Sequence, residues 1–282
     1  QYSQSELHAD QFHPGFDRIG RFGTIYRFTD SKGNLKEGKL AINDPQMARS
    51  ASEELGEIED FTRIFLQPNF QSAHIPLHGR EIFLSYVDNA SQRKPFAEKN
   101  VAYADPNFFR FFNYPLLHGN ATSVLNEAYT VAISESVARK YFGDTDAINK
   151  TLQLNDKIPL RVTGVFKDLP KNTHLSFDVV ISTVTIEKNI SRVTLTNGGP
   201  YCYLKLNHGV DILTFEEKIK RFSDERYNKL MKETCATCSS EAYIQPLTEL
   251  PYNEGYWFDF SIPKSKYLLL ALKAISVVIL LM

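Results

Sequence analysis

The sequence predicts an α+β protein of two lobes, in which an α/β lobe is interrupted by a mainly-β insertion and followed by the start of a hydrophobic helix. Three observations carry this. Strand-like runs alternate with helical segments near both ends of the chain, which is the pattern of an α/β layer. The stretch between about residues 105 and 175 is dominated by short strands. Residues 267–282 are apolar except for Lys273 and Ser276.

Taken in order, residues 19–29 alternate enough to be a strand and end at the turn signal Asp30-Ser-Lys-Gly33. Residues 45–55 read as a helix, with Asp44 as cap and Pro45 in the first turn, where a missing amide costs nothing. A strand over 58–66 completes a strand–helix–strand unit. Extended runs over 82–87 and 96–104 lead to a short helix beginning at Pro106. A brief strand at 130–133 precedes a helix capped by Ser134 and closed by Gly143. Residues 151–154 and 160–166 form a hairpin around Asn155-Asp-Lys157. Further strands are expected at 177–185, 200–206 and 242–247. Between 214 and 232 the apolar residues Phe215, Ile219, Phe222 and Leu230 recur at helical spacing, behind a capping box of Thr214 and Glu217. The loop over 186–200 reads as a connection.

A chain of 282 residues with 43% hydrophobic and 12% aromatic content has enough apolar material for one large core or two lobes. Thirty-two basic against 33 acidic side chains give a formal net charge of −1, without a long run of either sign. Nucleic-acid binding needs a concentrated basic surface, so that class is excluded. The first residues, Gln1 to Glu6, are polar and do not read as a signal peptide.

A membrane span needs about 20 apolar residues, so residues 267–282 read as the start of one, with a buried C-terminal helix of a soluble domain as the alternative. Just upstream lie Tyr252, Tyr256, Trp257, Lys264, Lys266 and Tyr267. Rings and long cationic stems can each keep an apolar body in lipid and a polar end in water, which assigns Trp257, Lys264, Lys266 and Tyr267 to a membrane interface.

Chemical motifs are sparse. The run GNLKEGKL at residues 33–40 resembles a phosphate loop but ends in Leu40 where Ser or Thr should hold magnesium, so a polar hairpin turn is the better reading. Cys235 and Cys238 have the spacing of a redox pair or half a zinc site. They follow a helix C-terminus, where the dipole opposes thiolate formation, and the only other cysteine is Cys202. A structural disulfide is favoured, with two unpaired thiols as the alternative. His74 and His78 are separated by Pro76, which forbids the helix that would align them, and His8 and His13 have no carboxylate at metal spacing. No nucleophile elbow or carboxylate pair suited to acid–base work is present, so no catalytic residue, cofactor or metal site is assigned. The aromatic series Phe108, Phe109, Phe111, Phe112 and Tyr114 is expected to be core. Rings in it that cannot turn inward, with Phe108, Phe109 and Phe112 as candidates, would be partner contacts.

Four signatures stand in fixed order: VAYADPNFFRFFNYPLLHG at residues 101–119, VAISESVARKYFG at 131–143, RVTGVFKDLP at 161–170 and HLSFDVVIS at 174–182. With DQFHPGFDRI at 10–19 and IQPLTE at 244–249, this series resembles the MacB-like periplasmic core domain of FtsX-type ABC transporter permeases, in the version common in Bacteroidetes-type bacteria. After the Tyr-Phe-Gly element at 141–143 the family usually carries Pro-Ile-Gly-Lys-Thr, whereas this chain reads AINKT at 147–151. Asn tolerates a left-handed backbone best among non-glycine residues, so Asn149 can keep the turn.

The resemblance implies a juxtamembrane segment at 1–18, a porter-like lobe in two halves (19–104 and 176–250), an inserted sabre-like lobe at 105–175, an interfacial linker at 251–266 and a transmembrane helix starting at 267–282. It implies a non-enzymatic domain in the periplasm, on the bacterial inner membrane, whose ATPase is a separate cytoplasmic ATP-binding subunit. A permease dimer, a periplasmic adaptor protein and the lipid bilayer are the expected partners. The expected function is efflux or release of an amphiphilic cargo such as a drug, peptide or lipoprotein. The alternative is an FtsX-like protein that activates a cell-wall hydrolase without transport. A free periplasmic binding protein or enzyme is disfavoured by the apolar tail and the missing nucleophile.

Overall fold

A computed structural model describes residues 9–66, 82–87, 93–143, 146–170, 172–187, 199–228, 231–232, 235–252 and 255–260, together with 265, 267–268, 270–272 and 274–275. Among them a mixed sheet of 14 strands organises the molecule. Its strands are β1 (Ile19–Thr29), β2 (Leu35–Leu40), β3 (Ile58–Phe65), β4 (Ile82–Val87), β5 (Arg93–Glu98), β6 (Val101–Ala104), β7 (Leu116–His118), β8 (Thr130–Ser134), β9 (Thr151–Leu154), β10 (Ile158–Phe166), β11 (Val179–Ser182), β12 (Tyr201–Leu206), β13 (Ser239–Pro246) and β14 (Tyr256–Trp257). The helices are α1 (Met47–Glu54), α2 (Phe108–Phe112), α3 (Glu135–Phe142) and α4 (Ile212–Ser223). The sheet runs β14-β2-β1-β12-β3-β6-β11-β8-β10-β9-β4-β5, with β13 on β1 and β7 on β10. Pairing is antiparallel except for β6 with β11, β8 with β10 and β14 with β2.

Side chains alternate across this sheet and so feed different cores. On β12, Cys202, Leu204 and Leu206 join Phe22, Met47, Phe215, Ile219 and Phe222 beneath α1 and α4, so residues 19–66 and 177–247 share one core. At the other end Val131, Ile133, Leu152, Leu160, Val179 and Ile181 pack under Val137 and Tyr141 of α3. The remaining cluster takes Tyr201 and Tyr203 from β12, Ala102 and Ala104 from β6, and Val180 from β11, and is filled by the rings of α2 with Phe166 and Phe177. That cluster spans both halves of the sheet.

The expected inserted lobe is therefore continuous with the outer lobe through the sheet. The halves meet at β3 and β6, where only Ile64 with Ala104 and Phe65 with Tyr103 are in register. Strands β4 and β5, expected in the first half of the outer lobe, instead pair with β9 at the far edge. Ile82 and Leu84 bury there beside Leu152 and Leu154, and a strand joins whichever edge can cover its apolar face.

Local signals set most boundaries. Ser134 caps α3 by accepting from the Val137 amide. Asn155 and Asp156 take left-handed φ values of 48° and 58° in the β9–β10 hairpin, and Asn149 takes 62°. Helix α1 starts at Met47, because the Asp44 side chain accepts from the Gln46 amide and holds residues 44–46 in a turn. Helix α4 begins earlier than expected: Asp211, not Thr214, is the cap, accepting from Leu213 at 3.1 Å and Thr214 at 2.8 Å. The described positions over 267–275 are helical and exposed. Among the described residues no helix is long and apolar enough to cross a membrane.

Candidate functional site

A buried polar cluster lies where the segment before β1 meets the segment between β10 and β11. Asp10, fully buried and at φ 60°, is the hub. Its carboxylate accepts from Thr173 Oγ1 at 2.5 Å, from the His174 amide at 3.2 Å and from His174 Nδ1 at 2.8 Å. The other ring nitrogen of His174, Nε2, lies 2.9 Å from the Tyr203 hydroxyl. His13 donates from Nδ1 to the Phe112 carbonyl at 2.9 Å and holds its other nitrogen 3.8 Å from Asp10. Burial by itself would raise the Asp10 carboxyl. The His174 ring opposite, with the His13, His174 and Thr173 side-chain interactions, more than offsets it and holds Asp10 well below the usual carboxylate range.

A second buried pair lies alongside. Arg21 on β1 is fully buried and grips Asp259 with both ends of its fork, at 2.9 Å and 2.7 Å, and reaches Gln245 at 2.9 Å. Burial would lower the guanidinium pKa, but the Asp259 carboxylate raises it. Tyr256 lies under the same guanidinium, 5.5 Å from it to the ring centroid. Tyr201 donates to the Phe258 carbonyl. Phe260 connects the two clusters: its ring stacks on His174 with centroids 6.0 Å apart and meets Tyr201 edge-on at 4.6 Å.

A hydroxyl–imidazole–carboxylate line such as Tyr203–His174–Asp10 is the geometry of a proton relay, but every member is buried and no substrate atom could reach it. Burial raises the Tyr203 hydroxyl well above its ordinary value, so it stays a neutral donor. The arrangement is a structural tie. Among the described residues no group of three His, Cys, Asp or Glu side chains is placed to hold a metal ion.

The residues singled out in the sequence are scattered. Phe108 and Phe109 are 1% exposed and Phe112 is 0%, so none offers a surface to a partner. The five-residue helix is wrapped by β3, β12 and Phe166, and mixed spacing sends every ring inward. Cys235 and Cys238 are joined in a disulfide, and Tyr26 donates to Cys238 Sγ at 3.2 Å. Trp257 is 45% exposed with its indole over Gly38, where a Cβ would come within 2.7 Å of the ring. Tyr267 is 87% exposed, while Lys264 and Lys266 lie outside the described residues, as do His8, His74, His78 and Lys273. Residues 33–40 form the β1–β2 hairpin, turning at Gly33. Asp10, His174, Tyr203, Arg21 and Asp259 were missed: partners such as Asp10 and His174, 164 positions apart, carry no spacing signal.

Solved structures resemble this chain to different extents. A domain assigned to a permease protein from Porphyromonas gingivalis superposes with a TM-score of 0.66 at 20% identity, covering 91% of this chain and 98% of that one. The periplasmic region of MacB from Actinobacillus actinomycetemcomitans gives 0.47 at 16% identity, covering 78% and 87% of the two chains. The extracellular domain of the noncanonic ABC-type transporter YknZ from Gram-positive bacteria gives 0.48 at 9% identity, covering 79% and 99%. No curated protein sequence matches the chain. The profile of the MacB-like periplasmic core domain matches residues 13–222, three-quarters of the chain and nearly all of the sheet, and the chain belongs to that family.

Proposed function

We propose that this domain is the periplasmic part of an ABC transporter permease that couples ATP hydrolysis on a cytoplasmic ATP-binding subunit to efflux or release of an amphiphilic cargo. One observation carries the reading: residues 10–18 and 256–260 converge on the same end of the sheet, where Asp10, His174 and Phe260 touch. A domain hung between two membrane segments needs its entry and exit side by side, and the family membership supports that use of the geometry. In this reading residues 267–282 begin a transmembrane helix on the inner membrane, and Trp257, Lys264, Lys266 and Tyr267 sit at its outer interface. A permease dimer and a periplasmic adaptor complete the assembly, and the domain itself has no catalytic role.

Reconstitution tests this. The full permease with its ATP-binding subunit in vesicles should move a fluorescent amphiphile only with hydrolysable ATP, and a hydrolysis-dead subunit should abolish the movement. ATP turnover without movement, accompanied by activation of a cell-wall hydrolase, would replace this reading with an FtsX-like signalling one.

A further inference from the structure

We propose that the Asp10–His174 and Arg21–Asp259 pairs, joined through Phe260, form a single brace that makes the segment before β1 and the segment after β14 move together. The inference rests on the permease reading for its purpose but not for its physics. Each pair alone would fasten its own segment. What unites them is that Asp259 and Phe260 are consecutive, so the Arg21–Asp259 pair and the Phe260–His174 contact hold adjacent residues of one segment.

The pairs behave as switches with two settings. Arg21 and Asp10 are fully buried, and separating a buried ion from its partner leaves an uncompensated charge, so intermediate positions are disfavoured. The Arg21 Nε and Gln245 Nε2 groups already lack partners, so the pocket has no spare acceptor to take over if Asp259 withdraws. Release of residues 256–260 would therefore strip the ring from His174 and weaken the hold on Asp10. Loss of Asp10 would in turn free His174 to turn away from Phe260. Tyr203 of β12 meets His174 and Tyr201 of the same strand donates to the Phe258 carbonyl, so one strand of the sheet backs both pairs.

Amide hydrogen exchange on the 282-residue chain tests the brace. Asp259→Asn should speed exchange of amides in residues 255–260 by about tenfold and of those in residues 10–16 by at least about threefold, while β8 and β10 stay unchanged. Asp10→Asn, or the milder Thr173→Val if that variant folds poorly, should have the reciprocal effect on residues 255–260. In a Phe260→Ala background each cross-effect should vanish while each local effect remains. If Asp259→Asn accelerates only its own segment, or if the cross-effects survive removal of the ring, the brace is wrong whether or not the permease moves cargo. Coupled exchange in a chain whose permease moves nothing counts against the transport reading and leaves the brace standing.

Discussion

Arg63 and Asp105 meet in a two-point ion pair where the two halves of the sheet join. Arg63 Nε reaches Asp105 Oδ2 at 2.9 Å and Nη2 reaches Oδ1 at 3.0 Å, with both residues about 95% buried. The Arg63 amide and the Thr183 hydroxyl also donate to the same carboxylate, and Arg63 Nη1 donates to the Pro45 carbonyl. One carboxylate thus joins β3 to the turns after β6 and β11, which is where the two halves of the sheet share only two registered residue pairs.

Asp105→Ala should therefore cost about 3–5 kcal/mol, because it strands a buried guanidinium. The double variant Arg63→Met/Asp105→Leu should cost less than the single one, since it removes the charge as well as its partner. Urea unfolding of the three chains measures this, and a single-variant loss below about 1 kcal/mol would show that the pair does not hold the halves together.

The Asp10 carboxyl gives a pH signature. Its folded value lies well below its unfolded value of about 4, so its contribution is fully present above that unfolded value and is lost as pH falls toward the folded one. The wild-type chain should lose stability between about pH 4.5 and pH 3 more steeply than Asp10→Asn, by up to about 1.4 kcal/mol per pH unit for this one proton. Equal slopes in urea titrations across that window would remove Asp10 from the account of acid sensitivity.

The rings of α2 act by packing. Phe112→Ala should destabilise by about 3–5 kcal/mol, as for any large buried ring, whereas Phe12→Ser, at 42% exposure, should stay within about 1 kcal/mol. Thermal melts of both variants decide it. A mild Phe112 variant would reopen a surface role for that helix.

The Cys235–Cys238 disulfide closes a very short loop, so its effect on the unfolded chain is small, about 2 kcal/mol or less. Replacing both with Ser should lower the melting temperature by a few degrees and leave cargo movement by the reconstituted permease intact. Loss of movement in a normally inserted double variant would give the pair a functional role.

Membrane attachment has its own test. The chain with residues 267–282 should float with lipid vesicles, and the chain ending at 266 should not, because exposing Leu268, Leu270, Leu272 and Ile275 to water costs about 1.5–3 kcal/mol for each fully exposed side chain. Co-flotation of the shorter chain would move the contact to Trp257 and its neighbours.

The sequence by itself determined what depends on near neighbours. Ser134 caps its helix, Asn149 and the Asn155–Asp156 turn take their left-handed backbone, and β1, β3 and β12 lie within a residue of where alternation places them. The motif series also led to the family. Only the tertiary structure decided that β4 and β5 cross to β9, that one sheet serves both halves, and that every ring of α2 turns inward. The same holds for the buried ion pairs. Asp10 needs His174 and Arg21 needs Asp259, pairs 164 and 238 positions apart, and nothing in local spacing can reveal them. Short-range hydrogen bonds are written in consecutive residues, whereas a buried charge finds its partner only after the chain has folded around both.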